Sequence, residues 1–271
     1  MSNCQDGAVA AYKYLSGLRS NKKKKRRYVE DCFHQKVYDT VRVIGRDRTN
    51  VDLVLRLSNG KTSTVQIRRI QDDEGEGLRR EMMTLCKSLE NESGNARQRT
   101  KEFGEMYTMG LRDAKNGLMY KPTEGREGMI QRASSLFSEW LERNLLSTYQ
   151  SITKAEEERM DMVESVFPKG PGSSMVISMD LGNYAHYDIN DRSVSVSLWL
   201  EKVRGRAKNW YFILPNVEID GSRGAAIELT DGTVISWDGS LVYHCTSVTE
   251  VGEDNPVFGC WYGSRSLRGC A

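Results

Sequence analysis

The sequence predicts an α+β protein, with a mainly helical region containing one β-hairpin over residues 1–167 and a jelly roll or barrel of short strands over residues 168–271. Three observations predict it. Short apolar runs follow one another at close spacing from Met175 to Tyr262, joined by Asp-Gly, Asn and Pro turns, the texture of a barrel or jelly roll and not of a helix-crossed parallel sheet. Ile130, Ala133, Phe137, Trp140, Leu141, Leu145 and Tyr149 recur at spacings of three and four, which gives a helix one apolar face. Between the two textures stands Phe167-Pro-Lys-Gly-Pro-Gly172, a cluster of breakers that places the main boundary.

Taken in chain order, the first feature is Asn21-Lys22-Lys23-Lys24-Lys25-Arg26-Arg27, whose six consecutive positive charges repel one another and keep the segment out of a core. It reads as a solvated loop, a phosphate contact or a nuclear address. Val51–Leu57 and Thr62–Ile67 are β-rich, and Ser58-Asn59-Gly60-Lys61 between them is a hairpin signal. Helices are expected over Leu78–Leu89 and from Met129 to about Ile152, while the polar, Gly-punctuated stretch from Glu90 to Arg126 carries no assignable element. Beyond the boundary, strands are expected at Met175–Met179, Ser193–Leu200, Trp210–Leu214, Ala225–Leu229, Thr233–Trp237, Leu241–Tyr243 and Val257–Tyr262. Asp231-Gly232 and Asp238-Gly239 mark tight reversals on either side of the Thr233–Trp237 strand.

Composition sets bounds on partners. The 271 residues suffice for one large domain or two modest ones, and the formal net charge of +2 is too small to steer a polyanion by overall field. Nucleic-acid contact would therefore come from local patches. No apolar run approaches the roughly 20 residues of a membrane span, and no secretion signal opens the chain, so a soluble, intracellular protein without a membrane partner is expected, with the basic run admitting a nuclear one. Six widely spaced cysteines read as reduced thiols in that compartment.

The chain has only three histidines, His34, His186 and His244. In His186-Tyr187-Asp188, an extended backbone projects residues i and i+2 from the same face, so an imidazole and a carboxylate can reach one metal together. His244 follows several strands later. Two histidines and one carboxylate on one side of an octahedron leave three positions open, the arrangement that non-haem iron(II) oxygenases use. A His-x-Asp is common by itself; the scarcity of histidine, the order of the three ligands and the jelly-roll texture give it weight. Cys32-Phe33-His34 has two zinc-ligand types but no second pair at finger spacing, and phosphate loops and hydrolase motifs are absent.

Asn183-Tyr-Ala-His-Tyr-Asp-Ile-Asn-Asp191, Trp210-Tyr-Phe-Ile-Leu-Pro-Asn216 and Ile235-Ser-Trp-Asp-Gly-Ser-Leu-Val-Tyr-His-Cys-Thr-Ser247 resemble the TET/JBP-like branch of iron(II)/2-oxoglutarate dioxygenases. The resemblance covers about the last hundred residues. It implies a double-stranded β-helix, with His186, Asp188 and His244 as iron(II) ligands, 2-oxoglutarate as co-substrate, and oxidation of a methylated pyrimidine of the 5-methylcytosine type in nucleic acid, DNA more than RNA. It further implies that the residues just past His-x-Asp, Asn190 and Asp191, line a base pocket, where an ionised Asp would accept from an exocyclic amine; a turn into the Ser193 strand accounts for Asp191 equally well.

One departure affects the co-substrate. Most members of the superfamily carry an arginine or lysine after the distal histidine to clamp the far carboxylate of 2-oxoglutarate, whereas Asn255-Pro-Val-Phe-Gly-Cys-Trp-Tyr262 has no base. Arg265 is the first candidate, followed by Arg268, a base from another strand, and the hydroxyls of Thr246 and Ser247; an ascorbate-like reductant is the alternative co-substrate. Two functions follow: a dioxygenase, or a non-catalytic jelly-roll binding or assembly module with a degenerate metal site.

Overall fold

The computed structural model describes residues 42–71, 73–90, 104–111, 119–120, 125–160, 170–172, 174–183, 185–189, 191–247 and 255–263. The basic run, the Cys32–His34 pair, Phe167, Asn190, Arg265 and Arg268 lie outside them.

The expected hairpin is β2 (Asn50–Leu57) and β3 (Thr62–Arg69). Gly60 takes a φ of 78°, which an L side chain resists, and the turn closes with the Leu57 N–H donating to the Lys61 carbonyl at 2.8 Å. Period-two alternation sets which face is inward, so Leu53, Leu55, Leu57, Val65 and Ile67 are buried. The remaining strands are β1 (Arg42–Ile44), β4 (Glu105–Leu111), β5 (Met119–Tyr120), β6 (Ser174–Met179), β7 (Ser195–Glu201), β8 (Tyr211–Ile219), β9 (Ser222–Glu228), β10 (Thr233–Trp237), β11 (Cys245–Thr246) and β12 (Val257–Gly263). Among the described residues they form one curved sheet in the order β1-β9-β8-β2-β3-β10-β7-β12-β6-β4-β5, with β11 on β8. The hairpin sits between β8 and β10, so strands from both sides of the boundary expected at Phe167 share one hydrogen-bonded sheet. The stretches on either side of that boundary therefore do not form separate sheets.

Strand boundaries follow the turn chemistry. Asp220-Gly221, with φ of 48° and 76°, reverses β8 into β9, and Pro215, which cannot donate to a ladder, sits at the register irregularity between Leu214 and Glu218. Leu241–Tyr243, expected as a strand, is not one. The Asp238 carboxylate accepts from the backbone N–H of Ser240 and Leu241, and the Val242 N–H bonds the Asp238 carbonyl, so the chain turns there and pairs only from His244 onward. In the unassigned stretch, β4 pairs with β6, burying Tyr107 and Met109.

Helix α1 (Asp73–Leu89) contains the expected one. The single helix expected from Met129 to Ile152 is two, α2 (Glu127–Asn144) and α3 (Leu146–Met160). Leu145 leaves helical geometry at φ −142° and ψ 55°, and the Asn144 side-chain amide donates to the Trp140 carbonyl, competing for a helical acceptor. Periodicity survives the break because Leu145 stays buried in the same core.

The sheet separates two cores. Val196, Leu198 and Leu200 of β7, Val234 of β10 and Phe258, Cys260 and Tyr262 of β12 pack against Leu78, Met82, Leu85, Phe137, Trp140 and Leu141 of the helices. Their alternate neighbours Trp199, Ile235, Trp237, Val257 and Trp261 fill the barrel interior with Phe212, Leu214 and the hairpin. Cys86, Cys245 and Cys260 are buried outside any disulfide, and among the described residues no helix is long and apolar enough to cross a membrane.

Phe137 is fully buried, with its ring centroid 5.2 Å from that of Tyr262. Phe137→Ala is expected to lower the unfolding free energy by about 3–5 kcal/mol, read as a shift of the urea midpoint, through lost burial and a residual cavity. A midpoint unchanged within error would remove the helices from the sheet's outer core.

Candidate metal centre

Two irregular segments meet at one end of the barrel. Asn183, His186 and Asp188 pair antiparallel with the 239–246 segment, fixed at one end by the Asn183 N–H on the Thr246 carbonyl at 3.0 Å and at the other by the Asp188 N–H on the Gly239 carbonyl at 2.8 Å. Between these, His186 and His244 exchange reciprocal backbone hydrogen bonds of 2.9 and 3.1 Å. The pairing brings the two rings to a centroid separation of 4.6 Å, and His186 and Asp188, two residues apart, project together.

The Nε2 of His244 lies 3.4 Å from Asp188 Oδ2, and the Nε2 of His186 lies 3.7 Å from Asp188 Oδ1. One ligand atom from each of the three residues falls within 4.8 Å of the others. His244 is 4 % exposed; its Nδ1 lies 2.9 Å from the Val242 carbonyl, which can only accept, so Nδ1 carries the proton and Nε2 presents its lone pair to the cluster. Trp237 meets the His244 ring edge-on at 5.1 Å and Phe212 packs at 5.5 Å, which fixes the plane of the imidazole. Two imidazole nitrogens and a carboxylate on one side suit a borderline divalent cation, and the donors are close enough to share one.

The triad opens on a cavity of about 100 Å³ inside the barrel, room for a small ligand beside the cluster. Thr246 lines it. Ser247 is not among its lining: its hydroxyl donates to the Asn209 carbonyl and accepts from the Tyr211 N–H, both at 2.8 Å, so its one O–H is committed to the backbone. The Asp191 carboxylate accepts from the Ser195 hydroxyl, and the Asp191 N–H closes a turn on the Asp188 carbonyl at 2.9 Å. These contacts are those of a turn leading into β7.

Several residues of the site carry no motif. Asn183 accepts the Thr246 N–H through Oδ1, Gly239 lets the chain pass against Asp188, and Ser197 and Trp199 line the cavity. A Cβ on Gly239 would stand 3.1 Å from that of Asp188 and 3.0 Å from Asp191 Oδ2. A sequence signal exists for Ser197: in Ser195-Val-Ser-Leu-Trp199 the serines fall on one face of a strand whose other face is aliphatic, which marks an interior that is not purely apolar.

No protein-family model matches the chain, and no curated protein sequence does. Among solved structures, it superposes on NgTET1 in complex with 5mC DNA with a TM-score of 0.55 at 12 % identity, over 85 % of this chain and 83 % of that one. A Pseudomonas putida prolyl-4-hydroxylase aligns at TM-score 0.44 and 10 % identity over 74 % of this chain and 92 % of that one. A 2OG-Fe(II) oxygenase family oxidoreductase from Burkholderia pseudomallei aligns at 0.42 and 12 % over 74 % and 85 %. The first superposition establishes the fold: this chain is a double-stranded β-helix of the type that NgTET1 has. The other two are looser and add nothing to that assignment.

Asp191→Ala is expected to remove the Ser195 hydrogen bond, costing about 1 kcal/mol and lowering Tm by about 2–4 °C, with the centre intact. Thermal unfolding followed by circular dichroism measures it. An unshifted Tm would take the turn role from this carboxylate.

Proposed function

We propose that the protein is an iron(II)- and 2-oxoglutarate-dependent dioxygenase that oxidises a methylated pyrimidine of the 5-methylcytosine type in nucleic acid. The observation that carries the reading is the convergence of His186, Asp188 and His244 within 4.8 Å at the open end of the barrel. Two imidazoles and one carboxylate leave half an octahedron open, which a chelating 2-oxo acid and oxygen can fill. That donor set is intact, which favours an enzyme over a binding module with a degenerate site.

His186, Asp188 and His244 would hold the iron(II), which when bound would supply the chemistry that couples oxidative decarboxylation of 2-oxoglutarate by oxygen to hydroxylation of a C–H bond. The chain's own contributions are positional. Val242 holds the His244 tautomer through its carbonyl, and the reciprocal His186–His244 backbone bonds set the spacing of the ligands. Phe212, Trp199 and Trp237 wall the cavity with apolar surface that excludes water from the reacting atoms. Residues 168–271 supply the ligands, and the helices before them buttress the sheet from outside.

The substrate assignment is supported by the sequence resemblance to the TET/JBP-like branch and by the fold shared with NgTET1, a protein solved with 5mC DNA. Asn190, which the sequence resemblance sets just past His-x-Asp, is the residue proposed to meet the base edge. In the cell the protein would meet DNA in the nucleus, to which the basic run at residues 21–27 is the proposed address.

The test is aerobic incubation of the protein with iron(II), 2-oxoglutarate and a DNA duplex carrying 5-methylcytosine, with succinate and oxidised base quantified by mass spectrometry. Both products are expected from the wild type, and neither above background from His186→Ala, Asp188→Ala or His244→Ala, each folded by circular dichroism. Succinate without base oxidation would reassign the substrate; full turnover in His244→Ala would remove the metal assignment.

A further inference from the structure

Resting on the co-substrate reading above, we propose that the far carboxylate of the 2-oxo acid is held by neutral donors, the Ser197 hydroxyl and the Trp199 indole N–H, at a notch left by Gly259, in place of a cationic clamp.

Among the described residues, no lysine or arginine lines the cavity. The strand where a base is expected, β12, turns Val257, Gly259 and Trp261 inward, and none of them is charged. Gly259 lies between Trp199 on β7 and Ser178 on β6 in the sheet register. A Cβ on Gly259 would stand 2.8 Å from Ser178 Oγ and 3.4 Å from Trp199 Nε1, so the missing side chain leaves a recess edged by a hydroxyl and an indole N–H. Ser178 already donates to the Gly259 carbonyl at 3.2 Å.

Ser197 and Trp199 are inward neighbours on β7, 3 % and 4 % exposed, and line the same cavity as the triad. Neither the Ser197 hydroxyl nor the Trp199 N–H has a hydrogen-bond partner among the described residues. Trp237 Nε1, on the same lining, is likewise buried without one. Buried donors left unmet are disfavoured by roughly 1–3 kcal/mol each, and native interiors leave few of them. The Trp237 N–H is such a donor, and beside Ser197 and Trp199 on the same cavity wall it calls for an acceptor that arrives with a ligand. A carboxylate accepts and never donates, and its hydrogen bonds to neutral N–H and O–H groups are charge-assisted. A 2-oxo acid with its keto acid end at the triad presents such a group to the rest of the cavity.

The test uses full-length protein loaded with iron(II) under anaerobic conditions and reads the visible charge-transfer band of the 2-oxo acid chelate. Titration with 2-oxoglutarate is compared with 2-oxobutyrate, which has the same chelating end and no far carboxylate. The wild type is expected to prefer 2-oxoglutarate. Ser197→Ala and Trp199→Phe should each raise its Kd about tenfold or more, equal to about 1.4 kcal/mol, while 2-oxobutyrate binding stays within about twofold. Gly259→Ala, which fills the notch and removes no donor, should erode the same preference. Retention of the full preference in both Ser197→Ala and Trp199→Phe would overturn the assignment, as would its loss in Arg265→Ala with Ser197→Ala unaffected. A folded wild type that gives no band with either acid would instead overturn the iron and 2-oxo acid reading itself.

Discussion

The reciprocal backbone hydrogen bonds between His186 and His244 are the constraint on which the site depends. Neither segment is a regular strand: residues 185–188 have irregular backbone apart from the bridge at His186, and 239–243 form a turn. Left alone, such segments would sample many conformations, at a cost of about 1–2 kcal/mol per residue to fix. Here each fixes the other. Asn183 and Thr246 close one end, Asp188 and Gly239 the other, and the ligand side chains inherit their spacing from this short ladder. A glycine at 239 is needed because the ladder brings the backbone within contact of the Asp188 and Asp191 side chains.

The ladder in turn needs a rigid floor, which the two cores supply. Packing of the helices against one face of β7, β10 and β12 fixes those strands, so that Trp199 and Trp237 on the other face can pack on Phe212, and Phe212 and Trp237 can hold the His244 ring. Polar ties close the sheet's edges. Arg69, 9 % exposed, donates to the carbonyls of Arg48 and Glu228 and to the Thr230 and Thr233 hydroxyls; burial lowers its pKa, which the nearby Glu228 carboxylate opposes. Glu201, 1 % exposed, accepts backbone N–H bonds from Arg206, Ala207 and Asp231, anchoring the loops that leave β7 and enter β10.

Much of this was legible in residue order because the signals were local. Asn59-Gly60 and Asp231-Gly232 announced turns whose φ angles only glycine takes easily, and Phe137, Trp140 and Leu141 announced a buried helix face. The three ligands were legible through residue type and order. What escaped depended on contacts distant in sequence. Periodicity carried through Leu145 and hid the helix break, since a buried leucine fits the pattern whether or not its backbone is helical. Glu105-Met-Tyr-Thr-Met-Gly-Leu111 gave no clear strand signal, because methionine has little strand preference and the pairing partner β6 lies some seventy residues on. Thr246 and Ser247 looked equivalent as adjacent hydroxyls; on a strand they face opposite ways, and only the pairing with β8 decides which one meets the cavity.

The central claim is that these three side chains hold one metal. Anomalous diffraction at the iron edge, from crystals grown or soaked anaerobically with iron(II), measures that directly. One strong peak is expected among His186 Nε2, an Asp188 carboxylate oxygen and His244 Nε2, at about 2.0–2.2 Å from each, as first-row metals keep with such donors. A well-ordered triad with no peak, or a peak only at other residues, would contradict it.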